Sequence, residues 1–531
     1  MPGFNTKQIA FYLYFSGLIL LVASLPLSKF TMSIAQFMLF GGWLIGGNIP
    51  GKLKSFFSNR LALLITSVFL LHLLGLWNTS DFNYAFKDLR IKLPILLLPL
   101  VLATSPLLTG KQFEKVIISG IAGVTISTLI SLMIFLGIIH RPVIDIRDIS
   151  IFISHIRLAL LCCLAVFLAS WLIYKHWDGK PNYYVVILLP IAIWLIGFII
   201  LIESLTGVII LFVSLVIMSA WFAYRSGGIW VRVFVLIILA FLPYSIYRYV
   251  NSVNASFTSH EKVDYSKLEK YTESGNEYYH YPDLEDYENG YPIWTYQCET
   301  EMEVQWNRRS QLNYDGKDRK GQELRFTLMR FLSSKGLRKD SAAVWKLTDS
   351  EIKSVENGIA NVKYQKKSSL EARIHQSLWE IHNRKLRDDQ SGHSLTQRIE
   401  YWNTAIAIIK QFPFTGVGTG DVPDAFQIQY EIMKSKLSKE WRLRSHNQYL
   451  SFGVAFGLPG LIWFLIVIIY PVIRQIKKRD FLYVSFALIS IMSMLTEDTL
   501  ETQAGVTFFA LFSSLFLFVN PINQSVGGKK E

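Results

Sequence analysis

The chain has 531 residues, about half of them apolar and 18% charged, below the roughly 25% charge usual for a soluble domain. That composition excludes an ordinary water-soluble globular protein. The formal charge of +13 does not point to nucleic acid, because residues 251–446 hold 29 basic and 28 acidic residues and so leave 24 and 12 elsewhere; the excess sits among the apolar runs.

Twelve apolar runs are each near the ~20 residues needed to cross a bilayer as a helix. In chain order they predict spans at 8–26, 30–48, 61–78, 93–108, 115–138, 156–174, 183–201, 204–223, 229–248, 447–473, 481–496 and 503–520. With the N-terminus inside, the inner loops carry Lys52, Lys54 and Arg60, then Lys111 and Lys115, Lys175 and Lys180, and Arg225. Arg474, Lys477, Lys478 and Arg479 follow, and Lys529 and Lys530 close the chain. Every inner segment is basic, as the positive-inside rule requires. The first run leads directly into a second and lacks a small-residue cleavage site, so it reads as a retained span.

Residues 249–446 differ. They are rich in Tyr, Trp, Asn, Lys and Glu, and contain no run long enough to span. Three-to-four spacing of apolar residues predicts helices at 322–333, 349–362, 369–387 and 396–412. The expected organisation is therefore an all-α polytopic membrane protein: 1–248 with about nine spans, an outer domain at 249–446, and 447–531 with about three more. The three cysteines, Cys162, Cys163 and Cys298, offer neither a disulfide framework nor metal-ligand spacing.

Several polar groups stand where the bilayer makes them costly. Lys87, Arg90 and Lys92 cluster on the outer side just before the fourth span, against the charge trend, where cations suit an anionic lipid head. Arg157, preceded by His155, opens the sixth span at its outer end. It either snorkels to the interface or faces the bundle interior, and its planar fork suits a diphosphate. Asp283, Glu285 and Asp286 read as surface acid rather than a metal site. Arg398 lies one turn before Trp402 on a predicted helix leading to Pro413, Gly416, Gly418 and Gly420. That glycine run follows a helix instead of a strand, so it reads as a tight turn rather than a nucleotide loop. His446-Asn447-Gln448 marks the start of the tenth span; imidazole is the side chain best suited to proton transfer near neutral pH, while the plainer reading is an interfacial polar tip. Glu497, Asp498 and Glu501 sit in the last outer loop, where they either cap a helix or orient cations, helix capping being the plainer role.

Taken together these residues resemble the O-antigen ligase/polymerase superfamily of bacterial envelope glycosyltransferases, whose members have about twelve spans and one large periplasmic loop. The family's ligase signature reads here as His446, Asn447, residues 448–456, Gly457, Leu458, Pro459 and Gly460. Its outer Arg-x-x-x-Leu reads as Arg157 to Leu161, and its Arg-x-x-x-Trp helix with a Pro-x-x-Gly-x-Gly turn as Arg398, Trp402, Pro413, Gly416 and Gly418. Residues 255–390 match nothing recognisable.

The resemblance implies a glycosyltransferase-C-like enzyme of the bacterial inner membrane, with both termini cytoplasmic and 249–446 periplasmic. Its donor would be a glycan on undecaprenyl diphosphate, and its acceptor a hydroxyl on a glycolipid resembling lipid A core. No metal and no cofactor are expected. Arg157 and Arg398 would bind the donor diphosphate and His446 would act as base, with Arg90, Lys92 and Asn447 auxiliary. An O-antigen polymerase and a protein O-oligosaccharyltransferase use the same chemistry; a flippase or exporter of the same lipid-linked glycan is the alternative of another class.

Overall fold

The computed structural model describes residues 5–521 apart from 144, 227, 261–262, 366–370, 373 and 380–393. Packing divides the chain into two compact units. The first comprises 1–141, 147–225 and 389–531, and the second 142–146 and 226–388. The expected division at 248 and 446 follows topology, whereas packing groups 389–446 with the apolar helices.

The first unit opens with α1 (Thr6–Ser24), α2 (Lys29–Ile45), α3 (Ile49–Ser58), α4 (Arg60–Leu74), α5 (Phe82–Thr104), α6 (Gly110–Phe135), α7 (His155–Lys175), α8 (Tyr183–Leu201) and α9 (Leu205–Ser226). Small polar side chains start these helices by taking up free N–H groups: Asn5, Ser28, Asn59, Asp81, Thr109, Ser154 and Asn182 each accept a bond from the first turn. α2 and α3 meet at 112°, so the second predicted run ends at Ile45. The bend falls on Gly47 and Asn48, both left-handed. α7 lies deep, with every residue from Leu158 to Ala169 buried.

The same unit resumes with α15 (Ser394–Gln411), α16 (Val422–Ile432), α17 (Gln448–Lys478), α18 (Phe481–Ser493) and α19 (Gln503–Ser514), which ends in a π-turn over Leu515–Val519. α17 packs on α15, α18 and α4, and α19 on α5. All twelve predicted spans fall on helices. Among the described residues, seven helices are long and apolar enough to cross a membrane, or eight with α2 and α3 taken as one broken span. The chain is thus a mostly helical, multi-pass membrane protein.

The second unit begins with α10 (Ile229–Thr258) and continues through a short hairpin, β1 (Tyr287–Glu288) with β2 (Tyr291–Pro292), paired antiparallel. α11 (Glu299–Arg309), α12 (Leu324–Ser334), α13 (Ser341–Trp345) and α14 (Asp349–Glu356) follow. Met302, Trp306, Leu328, Phe331 and Val344 form its core. The helix expected at 349–362 stops at Glu356 because Gly358, at φ 73°, turns the chain away. The helix expected at 369–387 falls largely outside the described residues.

Candidate functional site

α15 carries Arg398 and Trp402 one turn apart, on one face of the helix. Trp402 Nε1 donates to the Ser445 carbonyl at 3.0 Å, and Tyr401 Oη to the Trp441 carbonyl at 2.8 Å. From α16, Tyr430 Oη donates to the Leu443 carbonyl at 2.7 Å. Three aromatic side chains thereby pin the segment 441–445, which runs directly into His446.

His446 has φ 47°, in the left-handed region. That region is uncommon for residues other than glycine, although histidine is among those enriched there. Its N–H donates to Asp498 Oδ2 at 3.0 Å, and its ring centroid lies 5.7 Å from that of Tyr401. Among the described residues, no side chain or backbone group hydrogen-bonds to the imidazole. Asn447 is fully committed as the N-cap of α17. It accepts from the N–H groups of Tyr449 and Leu450 and donates to the Leu495 carbonyl at 3.1 Å.

The turn between α18 and α19 gathers these parts. Glu497 Oε1 pairs with Arg398 Nη2 at 3.2 Å. Asp498 accepts from Ser451 Oγ at 2.8 Å as well as from His446 N–H. Glu501 accepts from Arg444 at 2.8 Å, from Lys92 at 3.1 Å and from Gln448 at 3.1 Å. Burial pushes the Glu497 carboxyl above the usual carboxylate range, opposed by the positive field of Arg398, His446 and Arg157. Burial, and then the charge of Glu501, raises Asp498 likewise. Burial acts on Glu501 in the same sense, yet Lys92 and Arg444 hold it well below that range.

Arg157 reaches the same turn from the first turn of α7. It lines a narrow cleft of about 20 Å³ together with Leu25, Leu160, Leu161, Glu497 and Phe508. Among the described residues no carboxylate lies within ion-pair distance of its guanidinium. Glu497 and Asp498 nonetheless act on it electrostatically. The cleft is therefore apolar along most of its wall, with one unpaired cation and one paired acid.

The glycine run has a structural task. α17 breaks at Gly457 (φ 67°, ψ −170°). The carbonyls of Val454 and Ala455 receive the N–H groups of Val417 and Gly418, each at 2.9 Å, while Leu458 N–H donates to the Pro413 carbonyl at 2.7 Å. On the other side, Thr419 Oγ1 donates to the His72 carbonyl at 2.7 Å, and Asn78 Nδ2 to the Gly416 carbonyl at 2.8 Å. The run thus locks the broken start of α17 against the end of α4.

Arg157, Arg398 and His446 consequently meet at one acidic turn. Lys92 does not face a lipid head: it is buried at 1% exposure and ion-paired to both Asp88 and Glu501. Burial of a cation at that depth requires such partners. Arg90 and Lys87 are exposed on α5, and neither takes part in the cluster. Of the two roles expected for Glu497, Asp498 and Glu501, the structure shows the orienting of cations: Glu497 holds Arg398, and Glu501 holds Lys92 and Arg444.

Residues 349–465 match the family model described as O-antigen ligase. The matched stretch includes Arg398, Trp402, His446 and Gly457, and it supports placement in the O-antigen ligase superfamily, with a ligase- or polymerase-type glycosyltransferase activity. No curated protein matches the chain.

Proposed function

We propose that the protein transfers a glycan from undecaprenyl diphosphate to an acceptor hydroxyl at the periplasmic face of the inner membrane. In this reading the chain crosses the membrane twelve times and both termini are cytoplasmic. The observation that carries it is the meeting, among the described residues, of an Arg157 without an ion-pair partner, a partly buried Arg398 and an imidazole without a hydrogen-bond partner at the turn 497–498.

The chemistry follows from that arrangement. The acceptor oxygen attacks the anomeric carbon while the bond to the diphosphate oxygen breaks. The hydroxyl proton passes to the imidazole of His446. Negative charge grows on the departing diphosphate, and a fixed guanidinium there stabilises the transition state more than the ground state. Arg157 has no competing carboxylate in contact, so its donors are open to the diphosphate; Arg398 supplies a second fork after exchanging Glu497 for the ligand. None of these steps calls on a metal ion.

Purified protein in detergent, given the polyprenyl-diphosphate donor and a glycolipid acceptor, should form the glycosylated acceptor. His446→Ala should abolish product while the protein remains folded. Product formed at the wild-type rate by that variant would sink the proposal. In cells, deletion leaving a single attached repeat would indicate polymerisation, and loss of all attached glycan would indicate ligation. Failure of the purified protein to transfer, combined with movement of donor across vesicles, would favour the exporter.

A further inference from the structure

The second unit holds an open cleft of about 590 Å³ between α11, α14 and the turn that carries Gln311 and Arg319. Its lining mixes three cationic side chains, Arg309, Arg319 and Lys353, with the acids Asp349 and Glu356. Neither sign dominates, which disfavours a polyanion as occupant.

Part of this lining is spent on holding shape. Glu356 accepts from Ser310 Oγ at 2.6 Å and from Gln311 N–H at 3.1 Å, fixing the turn. Arg319 donates to Asn357 Oδ1 at 3.3 Å. The rest is open. Among the described residues, the side-chain amide of Gln311, the ammonium of Lys353 and the amide N–H groups of Asn357 have no partner. They offer donors and an acceptor together, as a ligand dense in hydroxyl groups requires.

An aromatic platform is joined to this cleft. Trp345, the last residue of α13, is 70% exposed, unusual for a side chain that is highly buried on average. Its ring is not loose. Arg309 donates to the carbonyls of Val344 and Trp345 at 2.8 and 2.9 Å and to Asp349 at 3.1 Å, while its guanidinium lies 5.7 Å from the indole centroid. One residue thus lines the cleft, caps the helix and steadies the ring. A pyranose has an apolar C–H face that packs on an indole, ringed by hydroxyls that need hydrogen-bonding groups.

We propose that this cleft is a glycan-binding subsite, with one sugar ring packed on Trp345 and neighbouring hydroxyls held by Gln311, Lys353 and Asn357. The choice of ligand rests on the transfer reading above. The bound chain comes either from the distal sugars of the lipid-linked donor or from the acceptor.

The test uses the full-length protein in detergent and saturation-transfer NMR with two probes. One is the glycan freed by mild acid from the host's own polyprenyl-linked donor; the other is the delipidated oligosaccharide of its surface glycolipid. Wild type should bind one of them, and that identity assigns the source. Trp345→Ala should weaken its binding about tenfold, and Lys353→Ala several-fold. In the transfer assay Trp345→Ala should raise KM for the matching substrate with little change in kcat, the mark of binding remote from the reacting atoms. The exposed ring predicts an unchanged melting temperature; should that variant nevertheless fail to fold, Lys353→Ala decides alone. Unaltered probe binding in the variants, or no binding of either probe by wild type that transfers glycan, would overturn the subsite. Wild type that binds a probe but transfers nothing would instead overturn the transfer reading.

Discussion

Asp498 holds His446 by the backbone: its carboxylate accepts the His446 N–H at 3.0 Å while that residue sits at φ 47°. The bond does not touch the imidazole. It fixes the main chain in a sparsely populated conformation, and thereby the direction in which the ring leaves it. Ser451 and Ser445 bond to the same carboxylate, at 2.8 and 3.4 Å, and make it rigid.

Asp498→Ala should therefore slow transfer about 10²-fold, the order attached to misplacing a general base. Asp498→Asn keeps an oxygen that accepts the N–H but loses the charge beside the imidazolium, and should fall between wild type and alanine. Single-turnover rates on purified protein separate the three. An alanine variant within a few-fold of wild type would mean that the bond does not set the position of the ring.

Arg157 and Arg398 differ in what they hold at rest, and this yields a second expectation. Arg398 is bonded to Glu497, so its removal leaves a buried carboxylate unmatched and mixes stability with function. Arg157 has no such partner among the described residues. Arg157→Ala should lower folding stability less than Arg398→Ala does and still lower kcat by about 10²- to 10³-fold. Arg157→Lys should recover only part of that loss, because an ammonium lacks the planar fork. Thermal melting and transfer rates, measured on the same preparations, check both halves.

Much of this was legible in the sequence, for definite reasons. The bilayer demands long apolar runs, so each expected span landed on a helix. The Arg398–Trp402 spacing is one helical turn, so a shared face was readable. α5 was misjudged by eleven residues: Lys87, Arg90 and Lys92 dilute its hydropathy, yet Asp81 caps it and Lys92 is neutralised inside. The acidic turn was legible only as a choice between helix capping and orienting cations, because the partners that decide it lie in tertiary pairing. Glu497 is 99 residues from Arg398, and Glu501 is 409 from Lys92. No local pattern encodes such distances.

The lock between the glycine run and the break in α17 predicts a sharp steric limit. Gly418 has φ 91°, and a Cβ there would sit 2.1 Å from the Asn78 carbonyl oxygen. Gly418→Ala should destabilise the protein by at least about 1–2 kcal/mol from the backbone conformation alone, with the clash in addition. The expected readouts are a lower melting temperature and less protein in the membrane. Gly137, also at positive φ but with open space around it, is the control. Equal effects at the two positions would remove the lock as the explanation.

The buried charges around Glu501 make the last prediction, and its sign follows from their pairing. Lys92 and Arg444 hold the Glu501 carboxyl well below its ordinary value, so folding favours the ionised form. Such a group contributes stability that is fully present above its unfolded value, near pH 4.3, and that is lost as pH falls towards the folded one. Glu501→Gln removes that contribution and leaves Lys92 with Asp88 alone. The stability difference between wild type and Glu501→Gln should thus be constant from about pH 8 to pH 5 and shrink below about pH 4. Lys92→Met is more severe, since it strands Asp88 and leaves Glu501 with Arg444 and Gln448 alone, at the cost of about 3–5 kcal/mol that attends a broken buried pair. Because Glu501 grips Arg444 and Gln448 on either side of His446, both variants should also slow transfer. Thermal unfolding followed from pH 8 to pH 3.5 measures the stability limb; a difference that widens as the pH drops would reverse the assignment of Glu501 as the ionised centre of the network.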